Sequence, residues 1–68
     1  MTSREATDHK ILEEHVSRVL TGKTDTKEQL FIVKDILIIC KKYGTKYKKY
    51  IAYFSQLETE LENTLQRS

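Results

Sequence analysis

Apolar residues in the first third of the chain recur at the spacing of an amphipathic helix, and charged residues fill the positions between them. These apolar positions are Ile11, Leu12, Val16, Val19 and Leu20. Because one helical turn takes 3.6 residues, this spacing places their side chains on one side of a helix. The pattern predicts a first helix over about residues 3–20. Thr2 and Glu5 have the spacing of a capping box at its start.

From residue 30 onward, apolar residues alternate at intervals of three and four, the heptad pattern of a helix that packs along one seam. A β-hairpin turning at Lys34 and Asp35 is the alternative. Period-two alternation is missing there, however, and neither residue favours a two-residue turn. We therefore expect helix. The heptad positions are Leu30, Val33, Leu37, Cys40, Gly44, Tyr47, Ile51 and Phe54, followed less strictly by Leu57, Leu61 and Leu65.

The chain has no proline and only two glycines, so it has few places to turn. Gly22 suits the end of the first helix, and Asp25 with Glu28 suits the start of the next. Gly44 follows two lysines, which favour a helix end, but the heptad continues through it in phase. We expect one domain over residues 1–68 with an all-α fold. It is a small helical bundle, either a helical hairpin or three helices, with the break at Gly44 slightly favoured.

The length of the chain predicts a thin core. A domain of 68 residues hides only about 60% of the surface that its unfolded chain exposes. Cys40 is the only cysteine, so an intrachain disulfide cannot add stability, and no cluster of cysteine and histidine predicts structural zinc. We therefore expect the bundle to be completed by self-association or by a partner chain.

The apolar stretch over residues 30–40 is wider than a single neighbouring helix needs, because large apolar residues also lie outside the heptad stripe. This excess predicts a non-catalytic protein-protein interaction module, such as a small subunit, adaptor, co-chaperone or regulator. The residues predicted to bind the protein partner, or a second copy of the chain, are Phe31, Ile32, Ile36, Ile39, Tyr43, Tyr50, Tyr53 and Phe54.

The formal net charge is only +2, but the basic residues are concentrated in the segment 41–50. Its lysines interleave with tyrosines, as in proteins that contact phosphates and stack on single-stranded bases. A nucleic-acid-binding protein is therefore the alternative function. We favour a simpler interpretation, in which the tyrosines belong to the apolar stripe and the lysines are solvated. The lysines of this segment are Lys41, Lys42, Lys46, Lys48 and Lys49.

The sequence predicts neither an enzyme nor a cofactor or metal site. His9 and His15 are six residues apart, so they do not share a helix face as a metal-binding pair does. Cys40 occupies a core position, where a thiol acts as a small apolar group. The N-terminus lacks a signal-peptide pattern, and the apolar stretch is about half the ~20 residues that a membrane span needs. We expect a cytoplasmic protein.

The segment LEEHVSRVLTG, followed by KEQL, resembles the small helical subunit of exonuclease VII over residues 12–30. Sequences of that family tend to carry a Leu-Glu-Glu, a hydrophobic residue, a glycine turn and a Glu-rich second helix. Thr24 and Thr26 stand where that family has leucines, and the second helix is more apolar here. The resemblance implies a second alternative function, the small helical subunit of a nuclease complex.

Overall fold

The computed structural model describes residues 3–67, which form three α-helices joined by short turns. Helix α1 spans Ser3–Thr21, α2 spans Thr26–Lys42 and α3 spans Lys48–Arg67, with a 3-10 turn over Gly44–Tyr47 between α2 and α3. No described residue lies in a β-strand. The predicted all-α fold is confirmed, including helix rather than hairpin over residues 30–40. The capping box predicted at Thr2 lies outside the described residues.

The turn between α1 and α2 has the two caps that the sequence predicts. Gly22 adopts a positive φ of 65° and its backbone N–H donates to the carbonyl oxygen of Val19 at 3.3 Å. The side chain of Asp25 accepts a hydrogen bond from the backbone N–H of Glu28 at 2.8 Å, which satisfies a donor that the first turn of a helix leaves unpaired. The first helix extends one residue beyond its predicted end.

Gly44 separates α2 from α3, which decides between the two predicted arrangements in favour of three helices. Its φ is 62°, in the left-handed region where a residue other than glycine is strained. The heptad nevertheless remains in the core on both sides of the break. This is because α3 folds back along α2 and turns the same stripe inward, with Cys40 and Phe54 both buried.

Helix α2 is the central element, and both neighbours run antiparallel to it. Nζ of Lys34 in α2 lies 3.8 Å from Oε1 of Glu62 near the end of α3. Asp8 near the start of α1 accepts a hydrogen bond from Tyr43, which directly follows α2. In the described part of the chain, no Cα atom of α1 lies within 8 Å of a Cα atom of α3. The buried core consists of Leu12, Val19, Ile32, Val33, Ile36, Leu37, Cys40, Tyr47, Phe54 and Leu61.

This arrangement makes the molecule flat. Its principal extents are 43 × 22 × 13 Å. The radius of gyration is 12.4 Å, compared with about 11 Å for a compact domain of this length. None of the helices within residues 3–67 combines the length and apolar character needed to cross a bilayer. The side of α2 that faces away from the core therefore has no fourth element over it in the described chain.

Candidate functional site

The structure divides the predicted partner-binding residues into two groups. Ile32, Ile36 and Phe54 belong to the core of the chain itself, with 7%, 0% and 2% of their surfaces exposed. Ile39 and Tyr43 are partly buried. The sequence does not show that α3 folds back over the side of α2 that carries Ile32 and Ile36, so these residues looked uncovered. This corrects their assignment to an accessible surface. The exposed members are Phe31, Tyr50 and Tyr53.

The most exposed apolar residues of α2 are Phe31 and Ile38, at 69% and 60%. They are seven residues apart, so their side chains lie on the same side of the helix, two turns from one another. Ile38 is not among the predicted binding residues, although its heptad spacing from Phe31 is visible in the sequence. We call this side of α2, which is marked by Phe31 and Ile38, the outer face.

One residue of α1 also belongs to the outer face. Nε2 of His15 lies 3.9 Å from Oδ2 of Asp35, which shows that these two positions of α1 and α2 lie side by side. Ile11 is one turn before His15 and Ile38 is one turn after Asp35. Because the two helices are antiparallel, Ile11 and Ile38 lie towards the same end of the molecule, on the side marked by that contact. Ile11 is 36% exposed, so it extends the apolar surface onto α1.

Lysines border the outer face along one edge. Lys27, Lys34 and Lys41 are spaced by seven residues and all are exposed, so they form a row beside Phe31 and Ile38. A surface depression of about 360 Å³ adjoins Phe31, and its lining is Asp25, Lys27, Glu28 and Phe31.

The tyrosines of the segment 41–50 are largely structural. The hydroxyl of Tyr43 donates to Oδ2 of Asp8, and the hydroxyl of Tyr47 lies 3.1 Å from Nδ1 of His9. The ring of Tyr47 packs edge-on against Tyr43, with centroids 5.8 Å apart, and stacks on Tyr50 at 5.9 Å. Tyr43 and Tyr47 therefore hold α1 against the turn after α2, and their rings are engaged within the chain.

Two of the five lysines in this segment face carboxylates of α1. Nζ of Lys42 lies 3.9 Å from Oδ2 of Asp8, and Nζ of Lys46 lies 3.5 Å from Oε1 of Glu5. The other three, Lys41, Lys48 and Lys49, have no carboxylate of residues 3–67 within 4.0 Å of their Nζ atoms. Lys48 and Lys49 border an open depression of about 450 Å³ between the 3-10 turn and α3.

Two kinds of reactive site can be checked directly in the described residues, a metal centre and a reactive thiol. No group of three or more histidine, cysteine or carboxylate side chains is placed to hold a metal ion within residues 3–67. Cys40 is buried, and removal from solvent raises the pKa of its thiol. A thiol with a raised pKa is a poor nucleophile at neutral pH.

Comparison of the chain with profiles of known protein families, with curated proteins and with solved structures finds no match. The resemblance over residues 12–30 therefore rests on those residues alone. Within the fold, this segment comprises the second half of α1, the glycine turn and the start of α2.

Proposed function

We propose that this chain is a non-catalytic binding protein that attaches to another protein through the outer face of α2. The observation that carries the proposal is the exposure of Phe31 and Ile38, 69% and 60%, one heptad apart on the same side of a central helix. Anchors spaced in this way are typical of helical surfaces that pack against a partner. Small subunits, adaptors, co-chaperones and regulators all act by binding of this kind.

The energetic basis is the burial of apolar surface. Moving an exposed phenylalanine or isoleucine side chain fully out of water contributes about 1.5–3 kcal/mol. Two such residues, extended by Ile11 on α1, provide a centre for an interface. A standard interface covers about 800 Å² on each partner and is dominated by a few well-packed apolar anchors. The flat shape leaves room for a partner along the full length of α2.

The nucleic-acid alternative has less support. Lys42 and Lys46 lie near carboxylates of α1, which reduces the positive potential they offer to phosphates. Tyr43 and Tyr47 are engaged with Asp8 and His9, so they are poorly placed to stack on bases. Two of the five lysines and two of the tyrosines of this segment thus have contacts within the fold.

A double variant of the outer face tests the proposal. The variant is Phe31→Gln/Ile38→Gln. Because Phe31 and Ile38 are exposed, the free energy of unfolding should change by no more than about 0.5 kcal/mol per site. The wild-type chain and the variant are each expressed in the cells in which the chain is naturally made. Cross-linked proteins are then identified by mass spectrometry. We expect the proteins that cross-link to the wild-type chain to be lost with the variant.

Leu20→Gln is the matched control. Leu20 is 66% exposed, but it is nine residues from Ile11, which places it on the opposite side of α1. This variant should retain the cross-linked partners. If the double variant retains the same partners at the same yield as the wild-type chain, the outer face is not the binding surface and the proposal is wrong.

A further inference from the structure

We infer that the segment of the partner that contacts the outer face is an amphipathic helix with acidic residues along one edge of its apolar stripe. This inference about the partner rests on the proposed function. It follows from the row of Lys27, Lys34 and Lys41, which runs beside Phe31 and Ile38 over the whole length of α2.

The lysines and the apolar residues alternate along the helix. Phe31 lies four residues after Lys27 and three before Lys34, and Ile38 has the same relation to Lys34 and Lys41. A seven-residue interval drifts by only about 20° around a straight helix, so each row stays on its own side over three turns or more. A partner that covers the apolar row must therefore place its own edge against the lysine row.

The charges of this row are available to a partner. Lys27 and Lys41 have no carboxylate of residues 3–67 within 4.0 Å of their Nζ atoms. Lys34 lies 3.8 Å from Glu62, but both side chains are about half exposed, at 52% and 47%. Exposed pairs of this kind are weak, with a median contribution near 0–1 kcal/mol. A carboxylate of the partner can replace Glu62 at little cost.

The opposite edge of the outer face carries charges of both signs, two acidic and one basic. Lys42 lies near Asp8 and Asp35 lies near His15, and the exposed Glu28 precedes Asp35 by seven residues. The lysine row is thus the edge at which an approaching chain gains most from carboxylates. Complementary charge of this kind selects the partner and its orientation more than it adds affinity.

The spacing of the anchors favours a helical partner. Phe31 and Ile38 are separated by about 10.5 Å along the axis, at a rise of 1.5 Å per residue. A helix that lies along α2 repeats its apolar residues over the same distance.

A second copy of the chain fits this surface less well than a fully acidic helix. In a parallel pair the lysine row meets the opposite edge, whose Glu28, Asp35 and Lys42 are of mixed charge. In an antiparallel pair related by a two-fold axis, each edge of α2 meets the same edge of its partner, so Lys34 faces the other Lys34. Like charges at that position oppose the pairing. A bilayer of anionic lipid would match the lysines, but the outer face has only three exposed apolar residues to insert. A helix from a different protein, with apolar residues opposite Phe31 and Ile38 and acidic residues opposite the lysines, matches both the apolar row and the lysine row.

The test is a selection from a displayed library of helical peptides. The peptides have a fixed helix-forming scaffold and fully randomised positions on one side, and they are selected for binding to the full-length chain. We expect the recovered peptides to combine apolar residues at intervals of three, four and seven with aspartate or glutamate along one edge. Recovered peptides with neutral or basic edges would overturn the inference.

Three variants separate this inference from the proposed function. Lys27→Gln/Lys34→Gln/Lys41→Gln should weaken binding of the recovered acidic peptides by about tenfold. The charge-matched control, Lys46→Gln/Lys48→Gln/Lys49→Gln, should change it by less than about threefold. Phe31→Gln/Ile38→Gln should abolish it. If peptides still require Phe31 and Ile38 but ignore the lysine row, the partner chemistry is wrong and the proposed function stands. If they are indifferent to Phe31 and Ile38, the proposed function fails.

Two further measurements address the other occupants. Sedimentation equilibrium of the chain alone would reveal a dimer, and a dimer lost in Phe31→Gln/Ile38→Gln would identify a second copy as the occupant. Co-flotation with phosphatidylglycerol vesicles would identify a membrane if binding required the same residues and exceeded that of the acidic peptides. Either result would overturn the inference. We expect neither to depend on Phe31 and Ile38.

Discussion

The hydroxyl of Tyr43 donates a hydrogen bond to Asp8, 35 residues earlier in the chain. This bond raises the pKa of Tyr43 from 10.0 to about 12, with smaller contributions from burial and from the negative charges of Asp8 and Glu5. The pKa of the Tyr43 phenol therefore depends on whether the start of α1 packs against the turn that follows α2. The hydroxyl of Tyr47 makes a second contact with α1, at Nδ1 of His9.

The raised pKa predicts a specific loss of stability at alkaline pH. Because the pKa is higher in the folded state, the contribution of Tyr43 is fully present below about pH 10 and is lost as the pH rises through about 12. The free energy of unfolding of the wild-type chain should therefore fall between these pH values. Denaturant titrations at each pH measure it, and tyrosinate absorbance follows the ionisation directly.

The variant Tyr43→Phe isolates this effect from the titration of lysines in the same range. It should be less stable than the wild-type chain at neutral pH, and the difference between the two should shrink above pH 10. Tyr53→Phe is the control, since its phenol has no hydrogen-bond partner among residues 3–67 and the variant should parallel the wild-type chain. A difference between wild type and Tyr43→Phe that stays constant up to pH 12 would contradict the assignment.

At the scale of the elements, Gly44 determines that α2 and α3 are separate helices. A Cβ atom added there meets no atom within 4 Å, and φ is 62°, so the cost of a side chain is purely conformational. Gly44→Ala should lower the free energy of unfolding by about 1–2 kcal/mol. Gly44→Asn should cost less, since asparagine tolerates the left-handed region. Both are measured by urea denaturation. Equal or greater stability of the alanine variant would mean that the helix can run through this position.

The sequence predicts the helices and their caps well because these depend on neighbouring residues. The interval pattern of apolar residues fixes α1 and the heptad stripe, and the contact of Asp25 with Glu28 is visible as a spacing of three. The break at Gly44 is harder to predict, since the heptad stays in phase across it and a single glycine costs an intact helix only about 1 kcal/mol. Its location follows from the packing of α3 on α2.

The side of α2 that each neighbour covers could not be predicted from local pattern. Ile36 and Ile38 are both large apolar residues within one stretch, yet Ile36 is fully buried and Ile38 is 60% exposed. The difference arises from the antiparallel return of α3, which involves residues far along the chain. Ile38 was consequently missed as a surface residue, and Ile36 was assigned to the surface although it belongs to the core.

At the scale of the whole molecule, one flat layer of helices combines a thin core with a long exposed face. Helix α2 contributes five of the buried core residues and also carries the exposed Phe31 and Ile38, so the same helix supports folding on one side and can support binding on the other. The two roles can be separated by mutation. Changes on the buried side unfold the chain, because replacing a large buried apolar residue by alanine typically costs about 2–5 kcal/mol. Changes on the outer face should leave the fold intact, because its side chains are exposed.

The distribution of charge over the whole molecule predicts weak binding to nucleic acid. Five phosphate contacts would give a log-log dependence of affinity on salt with a slope near −3.5, at about −0.7 per contact for single strands. If Lys42 and Lys46 keep their contacts with the carboxylates of α1, three lysines remain and the slope is near −2. We therefore expect little binding of a labelled single-stranded oligonucleotide at ~150 mM salt, measured by fluorescence anisotropy.

The variant Lys48→Gln/Lys49→Gln completes this test. Both lysines lie in the first turn of α3, which contains no acidic residue, so their charges oppose the helix dipole. Their removal should leave the free energy of unfolding unchanged or raise it by up to about 0.5 kcal/mol. It should have no effect on binding of the acidic helical peptides. Micromolar or tighter affinity for the oligonucleotide at ~150 mM salt, lost together with these lysines, would instead identify the basic segment as the functional surface.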